Sequence, residues 1–259
     1  RHQPVQLRHQ LKVLPMPHTI DAALAEALET LKEVSTNTLT TQLYKRGMSS
    51  MFINGVHPLS PGAGRLVGLA YTLRFLPKRE DKMAAVSTSS PDYPQRRAVA
   101  ECPPDYVLVI DARGEATTAT LGDILMTGLQ ARGCAGVVTD GAMRDTEAMV
   151  TLDYPIFCAG AAAKNSHITH YASELDVPVA CGGAAVFPGD VIVGDADGVV
   201  VFPPEMAVEL ATQGAEQELL ETLSLPLNIK GNRDHIFSDD LNRLRTDAIR
   251  SAREMAVAR

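Results

Sequence analysis

Three side chains in this sequence are spaced so that they can act together: Asp123, Arg144 and Asp145. Asp123 falls in the first turn of an apolar-periodic segment, Gly122–Arg132, which ends at Gly133 and reads as a helix. Arg144 and Asp145 follow a short apolar run, Ala135–Thr139, through Asp140 and Gly141. Helix followed by strand returns the chain, so the strand's exit loop comes back towards the helix start. Brought together, the residue types suit one chemistry. Asp145 offers hard oxygens to Mg²⁺ or Mn²⁺. Arg144 offers a planar fork for a carboxylate or enolate oxygen. The backbone N–H groups of Ile124 and Leu125, at a helix N-terminus, can hold a substrate carboxylate. The same residues have an ordinary reading too, with Asp123 as a helix cap and Arg144–Asp145 as a surface pair. Spacing alone does not separate the two.

The elements that must carry this trio follow from local pattern. Thr19 reads as the N-cap of a helix over Ile20–Val34, and Ser35 or Thr36 as the cap of a second over Thr38–Arg46, closed by Gly47. His57–Gly64 is rich in Pro and Gly and reads as loop. Leu66–Phe75, Tyr106–Ile110, Pro155–Ala159 and Val177–Cys181 read as strands. Val191–Val193 and Gly198–Phe202 flank the turn Gly194–Asp197, and Pro204–Leu223 is helical again. The organisation expected is an arm over 1–18, one domain over 19–223, and a charged extension over 224–259 holding a loop and a peripheral helix. Many short strands with few helices between them do not suit a regular doubly wound sheet.

Composition narrows the function classes. The chain has 259 residues, 24 Lys+Arg against 31 Asp+Glu, and a net charge of −7, which disfavours a binder that neutralises nucleic-acid phosphates. Aromatic residues make up 5% and Trp is absent, so stacking platforms for bases are poorly supplied. No apolar run reaches the ~18 residues of a membrane span, and no apolar leader segment is visible in the first residues. Cys102, Cys134, Cys158 and Cys181 form no C-x-x-C pair and sit beside small or apolar residues, which implies buried, reduced thiols and a cytoplasmic setting. Gly62, Gly64 and Gly68 lack the strand–glycine–helix order of a dinucleotide site. Asp195–Gly198 reads as a hairpin turn, since a calcium loop needs further acidic positions. His167 and His170 are three apart, but a metal pair without a third ligand is incomplete and a solvent-facing loop explains them better.

The run Gly122–Leu125 with Arg132–Asp145 resembles the RraA-like family, which holds the regulators of ribonuclease activity and the 4-hydroxy-4-methyl-2-oxoglutarate aldolases. Val34–Leu43, Pro61–Gly68, Asp105–Asp111, Val177–Gly183 and Pro188–Pro203 resemble it as well, so the likeness covers roughly residues 30–223. It implies an α/β architecture, a swivelling β/β/α domain with N-terminal helices and a C-terminal helical extension. It implies homotrimers or hexamers with active sites between subunits. It also implies a divalent-metal (Mg²⁺ or Mn²⁺) site for retro-aldol cleavage of a 4-hydroxy-2-oxo acid to pyruvate and a carbonyl compound, with oxaloacetate decarboxylation alongside. The family's Asp and Arg-Asp positions fall on Asp123, Arg144 and Asp145, with Asp145 as metal ligand. A further acidic ligand is expected from a neighbouring subunit's C-terminal helix, among Glu216, Glu218 and Glu221, with Glu218 preferred. Thr41 stands where many relatives have Asp, and Ala119 where the aldolases often have glycine. The alternatives are a non-catalytic regulator that docks on a ribonuclease and a dehydratase or hydrolase of a sugar-derived 2-keto acid.

Overall fold

A computed structural model describes residues 20–60, 62 and 64–230, with backbone only for 223–230. The arm expected over 1–18, the Thr19 cap and the extension beyond residue 230 lie outside the described residues.

In chain order the elements open with α1 (Ala22–Leu31), α2 (Thr36–Lys45), β1 (Phe52–Ile53), β2 (His57–Pro58), β3 (Leu66–Pro77), α3 (Glu80–Met83) and α4 (Pro94–Glu101). Then come β4 (Tyr106–Asp111), β5 (Ala119–Leu121), α5 (Asp123–Ala131), β6 (Gly136–Thr139), β7 (Ala142–Met143) and α6 (Thr146–Met149). The chain continues through β8 (Ile156–Cys158), β9 (Gly160–Ala161), a 3₁₀ turn (Ser166–Ile168), β10 (His170–Leu175), β11 (Val179–Cys181) and β12 (Ala184–Val186). It closes with β13 (Val191–Asp195), β14 (Gly198–Phe202) and α7 (Ala207–Lys230), the last preceded by a 3₁₀ turn.

The main sheet runs β1-β14-β13-β3-β4-β6-β8-β2, with β10 also paired to β3. β3, β4, β6 and β8 are parallel, and the pairings at both flanks are antiparallel. Both faces are buried, and side chains alternate between two cores as a period of two requires. Tyr106, Leu108 and Ile110 of β4 join one core and Val107 and Val109 the other. The first core is covered by helices through Leu31, Leu39, Leu43, Met126, Leu129 and Leu210. The second is covered by the β11–β12 hairpin through Val179, Cys181, Ala184 and Val186. The layers are therefore β, β and α, as the resemblance implied. Each fully buried Val or Leu contributes roughly 1.5–3 kcal/mol. All four cysteines are buried and free.

Several boundaries differ from the pattern reading. Asp21 caps α1, its Oδ1 accepting from Leu24 N at 2.8 Å, and the helix ends at Leu31. Ser35 caps α2 as expected, its hydroxyl accepting from Thr38 N, while Asp195 Oδ2 accepts from Thr36 N at 2.8 Å. Asp195 and Gly198 face each other across the two-residue turn between β13 and β14, which is the hairpin read from the sequence. Two residues of the Pro/Gly-rich loop pair as β2 with β8. α7 runs on through position 224 to Lys230, where the sequence suggests a loop. Among the described residues no helix is long and apolar enough to cross a membrane.

Candidate functional site

A second, small sheet sets the position of the trio. β5, β7 and β9 are parallel, with Leu121 opposite Met143. Arg144 N donates to Leu121 O at 3.1 Å, and Thr120 Oγ1 donates to Ala142 O at 3.1 Å. Asp123 lies two residues past Leu121, and Arg144 and Asp145 directly past Met143. Two neighbouring strand ends thus deliver all three side chains to one place. α5 then begins at Asp123 and stops where Gly133, with φ of +79°, takes the left-handed conformation that terminates a helix.

Asp123, Arg144 and Asp145 line one cavity of about 260 Å³. Arg144 Nε donates to Asp145 Oδ2 at 3.0 Å, with both side chains about one-third exposed. Asp145 adopts φ +58°, ψ +35°, a left-handed conformation that Asp tolerates better than most residues. Its carboxylate leans over Gly122, where a β-carbon would stand 2.7 Å from Asp145 Oδ2 and 3.3 Å from Arg144 Cγ. A side chain at this position would have to push that carboxylate aside, although the backbone φ of −124° is itself open to any residue.

The helix-start donors are arranged differently from expectation. Ile124 and Leu125 line the cavity, but Ile124 N donates to Asp123 Oδ1 at 2.7 Å. A substrate carboxylate would have to displace Asp123 from that amide. Leu125 N is in the first turn, which has no intrahelical acceptor. Ile124 is 82% exposed beside the cavity.

Glu218 is not brought to the trio within one chain. On α7 its Oε1 accepts from Ser35 N at 2.9 Å. Burial alone would raise its pKa, yet hydrogen bonds from Ser35 and Thr38 hold the carboxyl below its ordinary range. His167 and His170 part company. His167 lines the cavity, whereas His170 is buried at the start of β10, with Nδ1 3.0 Å from Arg113 Nη2 and Nε2 facing Thr118 O. Burial lowers the His170 pKa, the first of the influences on a ring placed between Arg113 and Thr118 O. The solvent-facing loop expected around His170 is therefore a buried strand.

The donor set suits a hard divalent cation. Asp145 and Asp123 both line one open cavity, and Mg²⁺ is commonly held by one or two carboxylates with the rest of its shell water. Among the described residues no three His, Cys, Asp or Glu side chains stand close enough to form a shell by themselves. A cation held here would need water or substrate oxygens for the rest of its shell.

Pattern reading missed the wall of the cavity built around α4. Gln95 on α4 is buried and its Nε2 donates to Thr120 O of β5 and to Ser166 Oγ at 3.2 Å. Arg96, next on α4, lines the cavity with Thr88 and Asn165. The signal available was Pro94 at a helix start followed by Ala98 and Val99 at core spacing.

A family model described as RraA-like, Aldolase/RraA, matches residues 22–201. The chain is 36% identical over 152 residues, 58% of its length, to a protein of Halalkalibacterium halodurans provisionally named 4-hydroxy-4-methyl-2-oxoglutarate aldolase. It is 29% identical over 166 residues, 64% of its length, to protein DlpA of Legionella pneumophila. The matches span 66% of the length of the first protein and 26% of the second, so the chain spans about two thirds or less of these curated relatives. Among solved structures, Streptomyces coelicolor RraAS2, described as an unusual member of the RNase ES inhibitor RraA protein family, superposes with a TM-score of 0.68 at 34% identity. That match covers 79% of this chain and 96% of the other. With the layers, the paired strand ends and the matched span in agreement, the chain belongs to the RraA-like family.

Proposed function

We propose that this protein is a divalent-metal-dependent lyase that cleaves a 4-hydroxy-2-oxo acid to pyruvate and a carbonyl compound in the cytoplasm, and that decarboxylates oxaloacetate as a side activity. The observation that carries this reading is the delivery of Asp123, Arg144 and Asp145 to one cavity by two registered strand ends. The 36% identity to the provisionally named aldolase supports it.

Asp145 would hold Mg²⁺ or Mn²⁺, with Asp123 close by and water completing the shell. When bound, such a cation supplies Lewis-acid polarisation of a 2-oxo group. Arg144 holds the 2-oxo acid through its forked N–H donors and faces the oxygen on which negative charge grows as the C3–C4 bond breaks. Leu125 N, and Ile124 N once released from Asp123, hold the C1 carboxylate at the positive end of α5. That exchange frees the Asp123 carboxylate to take the proton from the 4-hydroxyl as the C3–C4 bond breaks and to return it to C3. Glu218 would complete the site only from another copy, in a homotrimer or a dimer of trimers.

The test is Asp145→Asn, which keeps size and tolerance of the left-handed backbone but removes the charge. Pyruvate release from oxaloacetate with Mg²⁺ should fall at least about a hundredfold, while the urea midpoint stays close to that of the wild-type protein because an exposed ion pair contributes only about 0–1 kcal/mol. Full turnover in the variant would remove the assignment. The likeness to RraAS2 favours a second reading, a non-catalytic protein-binding regulator. That reading predicts no metal-dependent pyruvate release from the wild-type protein.

A further inference from the structure

Two helices that wall the cavity meet again at their far ends, where two thiols stand together. Gln95 and Arg96 of α4 and Asp123, Ile124 and Leu125 of α5 line the cavity. At its other end α4 closes on Cys102, and Cys134 follows α5, 32 positions further along the chain. The backbones there are held in register: Asp105 N donates to Gly133 O at 2.9 Å, and Ala135 N to Tyr106 O at 2.8 Å. Midway, the helices touch so closely that a β-carbon at Gly128 would stand 3.1 Å from Val99 Cγ1. Cys134 Sγ donates to Cys102 O at 3.5 Å, and its sulfur accepts from the Cys102 thiol. Cys158 and Cys181 differ: each donates to one carbonyl oxygen, Gly160 O or Ile110 O, and burial raises both pKa values. The hydrogen bond from Cys102 instead lowers the Cys134 pKa against burial, helped by Arg132, and the same bond together with burial raises that of Cys102. Cys134 is thus the better nucleophile, and it is 4% exposed where Cys102 is fully buried.

We infer that Cys102 and Cys134 form a two-cysteine oxidation site that takes a small hydroperoxide as oxidant and closes to a disulfide joining the ends of α4 and α5. The Cys134 thiolate attacks one oxygen of hydrogen peroxide. The O–O bond breaks, Cys134 becomes a sulfenic acid, and the departing hydroxide leaves as water with the proton that Cys134 gave up. Cys102 sulfur then attacks Cys134 sulfur, the S–O bond breaks, and a second water leaves with the Cys102 proton. Two thiols and one hydrogen peroxide thus give one disulfide and two waters. Sulfurs in hydrogen-bond contact must close by about 2 Å to reach disulfide bond length. The slight exposure of Cys134 admits a molecule of that size and excludes a bulky disulfide such as oxidised glutathione. The bond fastens α4 to α5 at the end away from the cavity, and the inference stands independently of the proposed function.

The experiment is hydrogen peroxide treatment of the folded wild-type protein, followed by denaturation, alkylation of the remaining thiols and peptide mass mapping. Two of the four free thiols should be lost, with a mass lower by two hydrogens and a peptide linked through Cys102 and Cys134. The oxidised protein should melt at least about 5 °C higher, because a cross-link closing a loop of this length constrains the unfolded chain. Cys102→Ser removes the resolving sulfur, so peroxide should carry Cys134 to sulfenic or sulfinic acid without a disulfide, whereas Cys158→Ala should leave the linked peptide unchanged. Oxidised glutathione should give no mixed disulfide with the folded protein. Retention of four thiols after peroxide, sulfinic acid on Cys134 of the wild-type protein in place of the link, or a link between two copies overturns the inference. So does a Cys102–Cys134 link that lowers the melting midpoint, which would mean that the pair forms only as the protein opens. A mixed disulfide with glutathione overturns the assignment of a small hydroperoxide as the oxidant.

Discussion

Gly122→Ala isolates the geometry of the site from its chemistry, because it leaves every reactive group in place. The added methyl would stand 2.7 Å from Asp145 Oδ2 and 3.3 Å from Arg144 Cγ. A relaxed carbon–oxygen contact is about 3.3 Å or more, so the Asp145 carboxylate must retreat by roughly 0.6 Å and turn away from Arg144 Nε. Displacements approaching 1 Å in a reacting constellation cost up to about a hundredfold, and a loss of ten- to a hundredfold in kcat/KM is expected. Stability should barely change. The Gly122 backbone, φ −124° and ψ 178°, is open to alanine. Losing glycine at an N-cap costs about 1 kcal/mol or less, and the stiffer unfolded chain returns about 0.4–1 kcal/mol. The assay pairs Mg²⁺-dependent pyruvate release with urea unfolding. Activity within twofold of wild type at unchanged stability would show that the close approach of Asp145 to Gly122 has no part in the working site. A loss of activity matched by a loss of folded protein would show that Gly122 serves the fold instead.

Arg144→Lys keeps the charge but replaces the fork with a point donor on a flexible stem; kcat for oxaloacetate decarboxylation should fall about a hundredfold, and steady-state kinetics showing a change in KM alone would reduce Arg144 to a binding residue. Asp190 gives a pH signature of stability. Burial pushes its pKa from 3.8 up to about 6, only partly countered by the hydrogen bond from Phe187 N. With the folded value above the unfolded one, the native state binds more protons between about pH 4 and pH 6, and stability from this group falls as pH rises through that window. Asp190→Asn, which can still accept from Phe187 N, should therefore match wild type in thermal midpoint near pH 4 and exceed it above pH 6; parallel curves at both ends would contradict the buried charge.

Legibility in the sequence tracked the length and polarity of each element. β4, β13 and β14 are apolar runs with both faces buried, and the pattern finds them within a residue or two. α5 and the Asp195–Gly198 turn were legible for similar reasons, a clear period and a short acidic turn. β5, β7 and β9 hold two or three residues each, too few for any period to show, yet they bring the trio together. Their pairing is a tertiary fact that no local pattern carries, although the helix-then-strand order already returns Arg144 and Asp145 towards Asp123. β10 begins with polar residues whose partners come from distant segments, Arg113 and Thr118 for His170, so local reasoning put it in solvent. Arg96 is an exposed arginine on a short, charged helix, and only the buried Gln95 beside it, bonded to Thr120 O of β5, ties that helix to the site.

The small sheet also has a consequence for how this scaffold can diverge. Asp123, Arg144 and Asp145 sit past the ends of β5 and β7 and take no part in either core, so each can be replaced without repacking anything. At Asp123 and Arg144 chemistry can thus be lost or remade in single steps that cost the fold little, whereas at Asp145 the left-handed backbone, φ +58°, narrows the choice to residues such as Asn or Gly. Gly122 is constrained by the site and not by the fold: a side chain there displaces the Asp145 carboxylate while leaving the backbone unstrained. The evolutionary latitude of the site lies in its reactive groups, and its constraint lies in the one residue that has no group at all.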